Sequence, residues 1–109
     1  MKYVDWLKTQ PCCNPRCKGF GGDVVPAHQR ILGRGGVGMK PPDEDALPLC
    51  VRCHHEEHRG AVTFWGCKDK AETKEFVRKL CDKHIRRYEI REFYQEQYLG
   101  HKHNEAIGG

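Results

Sequence analysis

Up to about residue 65 the apolar positions of this chain come in short runs, and beyond it they form one long helical stripe. Tyr3, Trp6 and Leu7 stand at i, i+3 and i+4, so Tyr3 to Lys8 predicts a short helix with one apolar side, ended by Pro11. Cys12 to Lys18 reads as a tight loop around Asn14 and Pro15, continued by Gly19, Gly21 and Gly22. Asp23 to Val25 predicts a short strand leading into Pro26, Ala27 and His28, and Leu47 to Leu49 predicts a second strand. Between them, Arg34 to Gly38 is glycine-rich and Pro41 and Pro42 follow, which suits an irregular turn or an Ω-type loop. A helix is expected from near Cys53 to Gly60, a residue suited to the position just past a helix end. From Lys68 to Leu99 neither Gly nor Pro intervenes, and one long helix or two shorter ones are expected. Val77, Leu80, Cys81, Ile85 and Tyr88 share its apolar stripe, with Lys79, Lys83, Arg86 and Arg87 clustered opposite as on a solvated face.

The length of 109 residues suits one small α+β domain, whose limited core would gain from a structural metal. The expected organisation is a zinc-stapled core over residues 1–67 and a helical extension packed on the same domain over 68–100. A flexible tail is expected over 101–109. Met1 to Leu7 lacks the apolar region of a signal peptide, and no run approaches the roughly 18 apolar residues of a membrane span. A cytoplasmic location without a membrane partner is therefore expected, where seven cysteines would stay reduced and bind metal instead of pairing. The net charge of +4 permits nucleic-acid binding without requiring it.

Cys50 and Cys53 are separated by two residues, the spacing of a zinc knuckle. The upstream knuckle is Cys13 with Cys17, or Cys12 with Cys17, since three and four intervening residues both fit. Together these predict one four-cysteine structural zinc site, made of Cys17, Cys50, Cys53 and either Cys13 or Cys12. Cys81 falls on the apolar stripe as a core residue, and Cys67 stands alone.

His54 and His58, at i and i+4, would project from one helical face and could grip one ion. His28 follows the first strand candidate; beside such an ion its imidazole could take a proton from an attacking water. Arg30, Arg34, Lys40 and Arg59 flank these pieces and are candidates to hold phosphates of DNA.

The order of pieces is a cysteine knuckle, Ala27-His28-Gln29-Arg30, a glycine-rich loop and Lys40-Pro41-Pro42-Asp43. Cys50-x-x-Cys53-His54-x-x-x-His58-Arg59-Gly60 completes it. Over about Tyr3 to Trp65 this resembles HNH endonucleases, above all small phage and prophage members concerned with recombination. The resemblance implies a treble-clef-like ββα-metal fold with a structural zinc and one catalytic divalent ion (Mg2+, Mn2+, Ni2+ or Zn2+). His28 would be the general base, His54 and His58 metal ligands, and Asp43 the middle residue and a further ligand. Asp45 and Asp23 compete with Asp43, because Ala27 stands where many members carry a metal-binding Asp. The implied partners are DNA and a recombination or phage DNA-processing protein. A non-catalytic zinc module that binds DNA or protein is the competing expectation.

Overall fold

The computed structural model describes residues 1–19, 21–35 and 38–108, with side chains described as far as residue 97. Gly36 and Val37 of the expected glycine-rich turn, and Gly109 of the expected tail, lie outside the described residues. The fold is α+β. In chain order come helix α1 (Tyr3–Leu7), strands β1 (Val24–His28) and β2 (Ala46–Cys50), then helices α2 (Val51–Arg59), α3 (Ala61–Trp65) and α4 (Lys70–Gly108). Single 3₁₀ turns occupy Arg30–Leu32 and Asp43–Asp45 in the long β1–β2 connection.

β1 and β2 pair antiparallel, with Val24 opposite Cys50 and His28 opposite Ala46. Pro26 does not end β1 at Val25 as the sequence predicts, because it faces Pro48. Pro48 turns its carbonyl away from β1 to accept the Cys13 N–H at 2.8 Å. That pair is one whose backbone groups point outward, so two missing N–H groups cost the ladder nothing. Every residue of β2 is buried, so it lacks the alternation of a half-exposed strand. Leu47 and Leu49 on it are fully covered, and each such side chain contributes about 1.5–3 kcal/mol. Around them pack Ala27, Leu32, Phe64, Trp65, Val77 and Cys81. A smaller cluster of Trp6, Leu7 and Ala46 takes in Tyr3 and Tyr88. There the Tyr88 ring meets Tyr3 edge-on at 5.4 Å and docks α1 on α4.

β2 ends at Cys50 and α2 begins at Val51, so the chain reverses at the cysteine end of the hairpin. Eight helical steps from Cys50 to His58 cover about 12 Å. The four steps of β2 cover a similar length, about 14 Å. The helix thereby returns His58 to the level of His28, at the other end of the sheet.

α4 begins where Asp69 caps it, its carboxylate accepting the Glu72 N–H at 2.8 Å. Its stripe buries Val77 and Cys81 as expected, and also Thr73 and His84. Both polar residues bond to carbonyls of the chain, Thr73 to Asp69 and His84 to Leu80. The helical backbone continues through Gly100 to Gly108 rather than ending near residue 100; one glycine inside a helix costs only about 1 kcal/mol and does not oblige a break. Among the described residues no helix is long and apolar enough to cross a membrane.

Candidate functional site

Cys12, Cys17, Cys50 and Cys53 bring their sulfurs together within 4.8 Å of one another, and could hold a metal ion such as zinc. None of the seven cysteines forms a disulfide. A tetrahedral zinc with bonds of about 2.3 Å puts its sulfurs about 3.8 Å apart; Cys17 and Cys50 are separated by 3.8 Å. Local backbone builds this cluster. Cys50 is the N-cap of α2 and accepts the Cys53 N–H, while the Gly19 N–H reaches Cys17 Sγ at 3.4 Å. That hydrogen bond draws the Cys17 thiol down to about 7, whereas burial pushes Cys53 up to about 12. Crowding four thiolates together, two of them buried, is costly without a cation, so the donor set fits a bound metal. A Cβ on Gly21 would stand 2.3 Å from Cys50 Sγ, so only glycine lets the loop close over the cluster.

The cluster takes Cys12 and leaves out Cys13, the other upstream ligand that the spacing allows. Cys13 N–H bonds to Pro48, and its side chain packs against the core, where burial pushes its thiol up. Once one residue of an adjacent pair is tied to β2, its neighbour is turned toward the loop.

At the opposite end of the hairpin, His28 and His58 line one cleft of about 220 Å³ with Arg30 and Glu57. His28 Nε2 lies 2.9 Å from Asp43 Oδ1. The rings of His54 and His58 stand 4.5 Å apart, edge to face, as i and i+4 on α2. His54 Nδ1 is buried and has no hydrogen-bond partner. Burial, reinforced by His58, His55 and His28 nearby, lowers the pKa of His54 and keeps it in the neutral form that ligates metals.

The three candidate acids part company. Asp43 is engaged by His28. Asp45 is buried and bound in bidentate fashion by Arg34, which makes Arg34 a structural partner rather than a free phosphate contact. Asp23 adjoins Val24, at the cysteine end of the sheet and away from His28. Among the described residues, the four cysteines are the group of three or more potential ligands that converges. Asp43 with His54 and His58 does not form a second one. Of the other basic candidates, Arg30 sits in the His28 cleft, Lys40 is exposed, and Arg59 lies on another flank of α2.

Glu57 is a site residue the sequence reading passed over. Its carboxylate accepts from Gln29 Nε2 at 3.1 Å and from Trp65 Nε1 at 2.7 Å, tying the residue after β1 to α2 and α3 in the wall of the cleft. Burial pushes it up to about 7, against the pull of those two donors. Its position four residues after the zinc-knuckle Cys53 was the available signal, since i and i+4 share a helical face and that face is buried. Asn14 was missed in the same way; its side-chain amide donates to Cys53 Sγ at 3.4 Å.

A family model described as "Protein of unknown function (DUF968)" matches residues 1–86. The uncharacterized protein YdfU of Escherichia coli (strain K12) is 44% identical over 63 residues. That match covers 58% of this chain and 17% of the relative, so the chain spans less than a fifth of its length. No solved structure matches.

Proposed function

The chain belongs to the DUF968 family, and from that premise we propose that it is a metal-dependent endonuclease that hydrolyses DNA phosphodiester bonds on an HNH (ββα-metal) core. The observation that carries the reading is the cleft where His28, bonded to Asp43, shares a wall with His58. A general base and a pair of imidazoles on one helical face are the parts such hydrolysis requires. In this reading zinc occupies Cys12, Cys17, Cys50 and Cys53 and fixes the start of α2, so that His58 reaches the cleft in a set orientation with His54 packed beside it.

The unpartnered Nδ1 of His54 suits a cation, and His54 and His58 would hold the catalytic one. A divalent ion there would stabilise charge on the phosphate and the leaving oxygen. Asp43 accepts a hydrogen from His28 Nε2, which leaves the lone pair on Nδ1. That nitrogen takes the proton of the attacking water. Asp43 is thereby assigned to orienting His28 instead of to the metal. Arg30, in the same cleft, is suited to a phosphate oxygen. DNA of phage or prophage origin, processed in a reducing cytoplasm, is the setting proposed for this chemistry.

The test is plasmid nicking with Mg2+, Mn2+ or Ni2+, comparing the wild type with His28→Ala. The variant is expected to lose cleavage while keeping zinc and DNA binding. No cleavage by the wild type in any metal and on duplex, single-stranded or branched DNA would instead favour a non-catalytic zinc module. The convergence of the cysteines alone is the observation on that side.

A further inference from the structure

A second cleft, of about 470 Å³, opens between the cysteine loop, the end of α2 and the start of α3. Arg16, Arg59 and Thr63 line it, with Glu56 as its acid. A neighbouring hollow of about 400 Å³ shares Glu56 and Arg59 and adds Arg52 and His55. The two form one groove holding three guanidinium groups against one carboxylate. Among the described residues none of the three makes an ion pair within 4.0 Å.

Arg16 is held in place from both ends. Its backbone N–H donates to Asn14 Oδ1 at 3.1 Å, and its Nη2 donates to the Phe64 carbonyl. One arm of the fork is thus anchored and its remaining N–H groups stay available. Asn14 in turn donates to Cys53 Sγ, so the groove is braced by the cysteine cluster. Arg52 and Arg59 are seven residues apart on α2, which is about 10 Å along the axis. That separation lets the two guanidinium groups reach different phosphates of one strand. Arg59 follows His58 directly, so it is turned about 100° around the helix from it. The groove and the His28 cleft therefore occupy different flanks of the same helix.

We infer that Arg16, Arg52 and Arg59 form a second phosphate-binding locus, taking backbone phosphates of a nucleic-acid strand outside the His28 cleft. The inference rests on the nuclease reading in making that strand the proposed substrate. Contacts of this kind position the strand without reading its bases. Glu56 sits amid the arginines and limits the net attraction to about two charges.

The test uses the full chain with zinc bound and His28→Ala introduced to stop cleavage. Binding of labelled duplex and single-stranded oligonucleotides is followed by anisotropy across a salt series. Arg52→Gln with Arg59→Gln is expected to reduce the slope of log K against log salt by about 2, at roughly 0.9 per lost duplex contact. Affinity at low salt should fall at least tenfold. Lys68→Gln with Lys74→Gln removes the same charge elsewhere and should change both readings far less. Arg16→Gln should lower the slope by about 1 with zinc content unchanged.

An equal drop in the lysine control, an unchanged slope in the arginine pair, or no measurable binding by the parent would overturn the locus. So would loss of zinc from the arginine variants in step with loss of binding, since that would make these residues partners of the thiolates. Nicking by the His28 chain separates the two readings. Cleavage with an unchanged slope sinks the locus alone, and a lowered slope without cleavage sinks the nuclease alone.

Discussion

His28 Nε2 and Asp43 Oδ1 meet at 2.9 Å although the two residues stand 15 positions apart in the sequence. The strand end presents the ring and the 3₁₀ turn Asp43–Asp45 presents the acid. Asp43→Asn should keep the fold and lower the nicking rate about 10–100-fold, the usual cost of losing an orienting partner. His28→Ala should lower it about 10²–10⁴-fold. Initial nicking rates measure both, and an unchanged rate in Asp43→Asn would show that the acid does not orient this imidazole.

Adjacent cysteines offer a sharp comparison, because Cys12 lies in the sulfur cluster and Cys13 in the core packing. Cys12→Ser should release zinc and lower thermal stability. Cys13→Ser should retain about one zinc per chain. Metal analysis of the two purified variants decides the matter; the reverse pattern would mean that the cluster is wrongly composed.

Gly21 approaches Cys50 so closely that a methyl group would overlap its sulfur at 2.3 Å. Gly21→Ala should therefore cost about 1–3 kcal/mol, the range for overpacking a filled site, and weaken zinc retention. Chemical denaturation with and without a chelator measures both effects. Wild-type stability in the variant would indicate that the loop has room to move.

Trp65 Nε1 and Gln29 Nε2 both donate to Glu57. Trp65→Phe leaves a buried carboxylate one partner short and should destabilise by about 1–3 kcal/mol. Adding Glu57→Gln to that variant should recover part of the loss, because a neutral amide is cheaper to bury than a carboxylate short of a donor. A double-mutant cycle by denaturant unfolding reports the coupling, and strictly additive losses would deny that the two side chains interact.

His84 is 5% exposed and burial lowers its pKa from 6.5. A lowered histidine is bound by protons more readily in the unfolded chain, so its contribution is full above the ordinary value and fades as pH falls through the lowered one. His84→Gln should flatten the loss of stability on acidification below about pH 6.5. The comparison is the variant-minus-wild-type free energy across pH, so that proton uptake by the thiols cancels. A difference that does not vary with pH would mean that His84 does not titrate in this range.

Three short elements in the first part of the chain were readable from local rules. The Tyr3, Trp6, Leu7 spacing marks α1, the apolar run Leu47 to Leu49 marks β2, and Gly60 marks the end of α2. The i and i+4 relation of His54 and His58 is a property of any helix, so their pairing followed once α2 was recognised. Three further features were not local. Pro26 stays in β1 because of the proline it faces, and α3, between Gly60 and Gly66, forms in a stretch whose short pattern marks no element. The buried Asp45 and Glu57 were invisible as core groups because their partners, Arg34 on one side and Gln29 with Trp65 on the other, come from separate elements.

The choice between Cys12 and Cys13 shows the division most plainly. Spacing along a chain limits which thiols can reach one ion, and both candidates satisfied it. Which of two neighbours turns inward depends on where the backbone between them is anchored. Here the anchor is a hydrogen bond from Cys13 to Pro48, 35 residues further along by the numbering, on a strand that exists only because β1 pairs with it. Chemical type and period are written residue by residue, whereas direction is a property of the packed whole.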